Sequence, residues 1–209
     1  MLRVICISMC VLYSSVSIAG ESIYVSGKVG KAFPTGNYTE TNLGFVDFDF
    51  DGGTDYSLSV GRNITHYGLE LEYSKRELSA NSRVIITSNS TESLRGRQIQ
   101  EDVFANAYYY PLRNSSFSLY IGAGVGLTVI KWSNINSDIF TGNINSVDYV
   151  HSYKGILGSS IKISDKIDFE TSIQYLVIDD INLIASDGSP GKMDNQDIQK
   201  INIGIRYKF

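Results

Sequence analysis

Ionisable side chains of both signs, Lys28, Glu70, Glu72, Asp102, Lys154, Lys162, Glu170, Lys200 and Arg206, recur on the polar face of segments in which polar and apolar residues alternate. Charges confined in a narrow space must pair to offset the loss of water. Their mixture of signs therefore reads as an ion-pair network that fills such a space, not as the lining of a conducting pore.

Catalysis finds little to build on. The chain has two histidines. His66 falls in or beside a tight turn, where an exposed polar residue is expected, and His151 falls near the end of a strand, where a structural or interfacial role outweighs a catalytic one. A hydrolase of the lipid A deacylase kind needs His and Ser two apart on one strand face, with a carboxylate to orient the His. Here Ser152 directly follows His151, so the two point to opposite faces. A protease-like His and Asp facing each other across a cleft is not met either. No Gly-rich phosphate loop, zinc-ligand spacing or nucleophile elbow is present, so no catalytic, cofactor or metal residue is assigned.

The run Asp47-Phe48-Asp49-Phe50-Asp51-Gly52-Gly53 begins like a calcium loop, but the twelfth position from Asp47 is Leu58 and not Glu. A solvated acidic loop, or one that meets lipopolysaccharide through bridging cations, is the simpler reading; whether 47–51 holds a cation stays open. Asp179-Asp180 and Asp187-Gly188-Ser189-Pro190-Gly191 read as loop and turn chemistry.

The elements that must position these side chains are strands. About eight alternating segments cover roughly 22–33, 53–64, 66–78, 98–111, 116–131, 146–163, 167–181 and 197–209. Their connections alternate in length. Short ones lie at Ile64-Thr65-His66, Pro111 to Ser115 and Ser164-Asp165-Lys166; long ones span about 34–52, 79–97, 132–145 and 182–196. One-sided loop growth of this kind suits an all-β, eight-stranded antiparallel up-and-down transmembrane β-barrel, with the short turns at the periplasmic end.

Alternation alone does not say which face points inward. In the last segment Ile201, Ile203, Ile205, Tyr207 and Phe209 oppose Lys200, Asn202, Gly204, Arg206 and Lys208. An eight-stranded barrel has an interior just wide enough for side chains, and Gly61, Gly122, Gly124, Gly126, Gly158 and Gly204 share the polar face, where small residues relieve crowding. That places the polar face inside and the bulky residues outside. Tyr56, Tyr67, Tyr73, Tyr109, Phe117, Trp132, Tyr149, Phe169 and Phe209 then suit interfacial girdles, although β propensity also enriches tyrosine. A soluble lipocalin-like carrier, the inverse arrangement, predicts an apolar interior.

Composition agrees with an exported chain. Arg3, the apolar run Val4 to Val16 and Ser17-Ile18-Ala19 read as a signal peptide over residues 1–19, leaving 20–209 as the barrel domain, with an uncleaved anchor the alternative. Cys6 and Cys10 both lie in that segment, so the mature part has no thiol chemistry. Asn37, Asn63, Asn89 and Asn114 begin glycosylation triplets, which arise by chance in an Asn- and Ser-rich chain. Without Arg3 the 18 basic residues become 17 against 22 acidic, a net charge of −5 that argues against nucleic acid. No later apolar stretch approaches the roughly 20 residues of a membrane helix.

The closing residues, Lys200-Ile201-Asn202-Ile203-Gly204-Ile205-Arg206-Tyr207-Lys208-Phe209, resemble the C-terminal assembly signal of bacterial outer-membrane barrels, with Tyr207 third from the end, a terminal Phe209, and Ile203 and Ile205 on the same face. The start Ile23 to Gly30, Asn106-Ala107-Tyr108-Tyr109-Tyr110, and Tyr120 to Gly126 are similar to the outer-membrane β-barrel domain family that includes opacity-type surface antigens and the OmpA-like and OmpX-like barrels. The resemblance implies outer-membrane localisation and insertion by the barrel-assembly machinery. It implies contact with outer-membrane lipid and lipopolysaccharide, a monomeric barrel, and a non-enzymatic surface protein or adhesin whose four outer loops meet host or environmental ligands. A narrow, porin-like channel and a lipid A-modifying enzyme remain the alternatives. Family membership fixes architecture better than role.

Overall fold

Residues that alternate in polarity form strand after strand. The computed structural model describes the backbone of residues 21–35, 37–41, 44–86, 90–136, 147–184, 190–193 and 195–209, and side chains over 22–35, 51–79, 97–132, 147–181 and 195–209. The signal-peptide reading of residues 1–19 lies outside the described residues.

In chain order the strands are β1 (Glu21–Pro34), β2 (Asn37–Thr41), β3 (Gly44–Ile64), β4 (Tyr67–Ile86), β5 (Ser90–Arg113) and β6 (Phe117–Asn136). They continue as β7 (Val147–Lys162), β8 (Ile167–Ile178), β9 (Ile181–Ile184), β10 (Pro190–Met193) and β11 (Gln196–Lys208). Strands β3 to β8 and β11 follow one another around the sheet, all antiparallel, and β1 pairs with both β11 and β3 to close it. The result is a closed eight-stranded barrel. Closure gives each of the eight barrel strands a partner on both sides, which is what a sheet surrounded by hydrocarbon requires. β2 extends an outer hairpin with β3, and β9 pairs with β10 in a hairpin of its own.

The short turns carry their own locks. Thr65 has φ of 51°, in the left-handed region that β-branched residues resist. Neighbouring strands hold it there: Arg113 Nη1 donates to the Thr65 carbonyl at 2.5 Å, and the Tyr110 N–H donates to the His66 carbonyl at 2.8 Å. Asn114 Oδ1 accepts from the N–H groups of Ser116 and Phe117 at 3.0 and 2.7 Å, the local turn chemistry of an Asx motif.

Two features differ from the sequence expectation. The first long connection, 34–52, is largely strand: β3 starts at Gly44, so Asp47 to Asp51 lie in a paired strand opposite Arg83 to Ser79 instead of in a loop. The side chains of 47–50 lie outside the described residues. The outer parts of β4, β5 and β6 likewise run on past the expected ends, because the hairpins keep pairing beyond the apolar belt.

The second difference concerns bulk. The outer face is apolar, with Leu58, Leu69, Val125, Ile173, Ile201 and Ile203 exposed. The inner face is not simply small and polar. Tyr108, Tyr110, Tyr120 and Ile156 cluster inside towards the short turns. Nearer the loop end, Leu78, Ile130, Trp132, Leu176, Ile178 and Ile198 belong to a second buried apolar cluster. Trp132, expected in a girdle, is 3% exposed and points inward. It shares its parity on β6 with Thr128 and Ile130, which the register places on the lumen side.

Candidate functional site

The lumen gathers the chain's buried charges between these two apolar layers. Strand alternation delivers them: even positions face inward on β1, β4 to β8 and β11, odd positions on β3. Along β4 this places Glu70, Glu72, Ser74 and Arg76 in one inward column.

Near the short-turn end, Lys28 Nζ stands 3.6 Å from Glu70 and 4.0 Å from Glu72, and Lys154 Nζ donates to Glu72 at 2.7 Å. Arg206 Nη2 meets Glu170 at 2.5 Å. The remaining carboxylate oxygens are filled by neutral donors. Tyr24 and Tyr108 hydroxyls donate to Glu70 at 3.0 and 2.7 Å, Asn106 donates to Glu70 and Glu72, and Ser26 donates to Glu170 at 2.8 Å. Arg206 also lies 4.0 Å over the Tyr24 ring, and Lys154 4.2 Å over Phe104.

Asp102 belongs to a second group. It pairs with Arg76 and accepts from the hydroxyls of Ser74 at 2.7 Å and Thr128 at 2.8 Å. Lys200 makes a third, donating to both oxygens of Asp55 at 3.1 and 3.2 Å. Among the described residues the interior thus holds five bases (Lys28, Arg76, Lys154, Lys200, Arg206) and five acids (Asp55, Glu70, Glu72, Asp102, Glu170) in balance, while Asp168 pairs with Lys208 near the mouth.

Lys162, expected in the lumen, sits instead at the end of β7 and pairs at 2.7 Å with Asp165 in the following turn. The strand ends there, and the side chain, 38% exposed, lines the mouth of the lumen. Asp55 and Arg76 were missed by the sequence reading. Arg76 shares parity with Glu70 and Glu72, and Asp55 with Gly61, so both were legible on that ground.

The mouth at the short-turn end holds a cavity of about 150 Å³ lined by Arg113, Lys162, Arg206 and Lys208 with Asp168 and a run of serines. At the opposite rim a cleft brings together Tyr149, Val150, His151, Asp179, Asp180 and Asn195. The Asp179 N–H donates to the His151 carbonyl at 3.0 Å, so a histidine and carboxylates do share the outer rim. The described cleft residues include no serine, threonine or cysteine, and Ser152 is buried on the other face. His66, in the β3–β4 turn, approaches the Tyr110 carbonyl at 3.2 Å through Nδ1.

At the end of β11, Ile203, Ile205, Tyr207 and Phe209 project outward. Tyr207 and Phe209 meet edge to face at 5.2 Å, and the Phe209 N–H donates to the Ile23 carbonyl at 3.0 Å, fastening the last residue to the first strand.

A closed antiparallel barrel that is apolar outside, charged and filled inside, with its short turns at one end, has the design of a small barrel of the bacterial outer membrane. The chain belongs to the outer membrane protein beta-barrel domain family, whose sequence profile matches residues 13–209. It is similar in fold to OprG of Pseudomonas aeruginosa, at TM-score 0.67 and 18% identity, over 90% of this chain and 95% of that one. Neisserial surface protein A matches at TM-score 0.58 and 17% identity, over 91% of this chain and 99% of that one. The outer membrane protein AlkL matches at TM-score 0.58 and 11% identity, over 94% and 93%. No curated protein matches the sequence significantly.

Proposed function

We propose that the chain is a non-enzymatic surface protein of the outer membrane, with the barrel a rigid stand for outer hairpins that contact host or environmental ligands. The observation that carries this reading is the filled lumen. Balanced ion pairs occupy its middle, and the cluster containing Leu78, Ile130 and Trp132 covers them on the outer side, so a water path along the axis meets an apolar layer. With the scaffold occupied by its own side chains, binding falls to the loops. The family supplies the location, and loop display supplies a role consistent with it.

The reading is tested by presenting the full chain on a Gram-negative host and measuring adherence to extracellular-matrix proteins and epithelial cells. A variant with the outer connections trimmed to short turns serves as the comparison. Adherence that falls to background on trimming supports the proposal. Unchanged adherence, or stable conductance steps from the purified barrel in planar bilayers, overturns it, and conductance would favour the narrow channel. The His151 cleft favours a second reading, a lipid A-modifying activity; host lipid A of unchanged mass in cells making the barrel argues against it.

A further inference from the structure

The outer wall of the barrel carries a groove of about 760 Å³ with an almost wholly apolar lining. Its floor is Gly27. On either side in register stand Leu58 of β3 and Ile205 of β11, and one step towards the loop end stand Val29, Tyr56 and Ile203. The hollow exists because one side chain is missing. A Cβ at Gly27 would meet Leu58 at 3.6 Å, ordinary contact, whereas a Cβ at the inward Gly61, Gly124, Gly158 or Gly204 would collide with its neighbours. Packing inside the barrel therefore does not require glycine at position 27.

The upper end of the groove is basic. On β1 the outward series Gly27, Val29 continues to Lys31, and on β4 Tyr73 is followed by Lys75, which itself lines the groove. Beyond Lys75 the outward series on β4 turns polar with Glu77, and beyond Lys31 on β1 stands the exposed ring of Phe33. Beside Lys75, Glu101 is shared between it, at 3.8 Å, and Lys131, at 2.7 Å, and one step further on β4 Glu77 pairs with Arg97, so three cations answer two carboxylates there. Further towards the loop end on β11, the strand next to β1, the one carboxylate described on the outer face is Asp197, which accepts from the Tyr175 hydroxyl at 2.6 Å. Since the short turns mark the periplasmic end, the lysines face the headgroups of the outer leaflet.

From the apolar hollow, the lysines at its upper end and their level in the membrane, we propose that this wall binds one phosphorylated, acylated glycolipid of the lipid A class. An acyl chain lies over Gly27, and a phosphate meets Lys31 and Lys75. Charge chooses the headgroup and the missing side chain chooses the chain position. This assignment is independent of what the loops contact.

The test is native mass spectrometry of the full-length barrel released from nanodiscs that contain lipid A, phosphatidylglycerol and phosphatidylcholine in equal amounts. Retention of a single lipid A in preference to both phospholipids is expected. Lys31→Gln and Lys75→Gln each lower that retention about fivefold, the worth of one basic residue at an anionic membrane surface. Gly27→Leu abolishes it, while Gly155→Leu, on the opposite wall, leaves it intact. Equal retention of phosphatidylglycerol and lipid A overturns the proposal, as does wild-type retention in Gly27→Leu or an equal loss in Gly155→Leu. Should Gly27→Leu fail to fold, shown by loss of its heat-modifiable gel mobility, the paired lysine variant decides.

Discussion

Lys154 on β7 donates to Glu72 on β4 at 2.7 Å, although β5 and β6 lie between their strands and 82 residues separate them in sequence. The bond crosses the lumen. Both side chains are almost wholly buried, at 0% and 1% exposed, so neither charge has water to fall back on. Removing one partner leaves an uncompensated buried charge, a loss of about 3–5 kcal/mol. Lys154→Met and Glu72→Gln are each expected to lose stability of that order in urea titrations of the barrel in lipid vesicles. The double variant should lose less than the sum of the singles. Additive losses would mean that the pair does not act as a unit.

Large inward rings are matched by glycines on the next strand. A Cβ at Gly158 would stand 2.3 Å from Tyr120 Cζ, and one at Gly61 would stand 2.4 Å from the Tyr24 ring. Gly158→Ala is therefore expected to cost about 1–3 kcal/mol by overpacking, measured in the same titrations. Gly155→Ala, where nothing lies within 4 Å, should stay within about 0.5 kcal/mol of the parent. Adding Tyr120→Leu to Gly158→Ala should recover part of the loss, since the collision is with that ring. A Gly158→Ala variant as stable as the parent would show that the ring moves aside freely.

These matched pairs also mark the limit of what the sequence discloses. The outer face is legible because hydrocarbon imposes one rule at every outward position: Ile201, Ile203 and Ile205 alternate with polar neighbours, and the barrel, its eight strands and its short turns follow from that period. The inner face obeys a pairwise rule. Tyr120 fits inside because Gly158 faces it, and Tyr108 because Gly122 does; neither partner is near in sequence. Reading Trp132 as a girdle residue rested on an aromatic near a segment end, whereas its parity with Thr128 and Ile130 decides its direction. The extended β3 was hidden for a different reason: Asp47 to Gly53 combines strand alternation with loop-forming residue types, and pairing with β4 prevails.

At the turn between β7 and β8, Lys162 meets Asp165 at 2.7 Å, with the carboxylate almost wholly exposed to solvent. The hydrogen bond from Lys162, and then its charge, hold the Asp165 carboxyl below its ordinary value. A depressed carboxyl contributes above the ordinary aspartate value of about 3.9 and loses that contribution as pH falls through the folded value. Exposed pairs add little to stability, so the expected readout is titration. The Asp165 carboxyl carbon should titrate by NMR at lower pH than a free aspartate, and Lys162→Met should move its midpoint upward, with gel mobility at neutral pH unchanged. A midpoint that stays put in Lys162→Met would show that the lysine is not the cause.

The last residue separates a folding role from an assembly role. The Phe209 backbone, not its ring, makes the closing bond to Ile23, and the ring is 72% exposed beside Tyr207. Phe209→Ala keeps that backbone bond, so the purified variant refolded into vesicles should match the parent within about 0.5 kcal/mol, as exposed substitutions do. If the terminal aromatic is read by the assembly machinery, the same variant made in cells should reach the outer membrane several times less well and accumulate in the periplasm. Deleting Phe209 removes ring and bond together, and should weaken the barrel in vesicles as well as in cells. Fractionation of cells alongside refolding of the same two variants checks both halves. Normal membrane levels of Phe209→Ala would show that the ring carries no signal, and a stability loss in vesicles equal to that of the deletion would show that its role is structural instead.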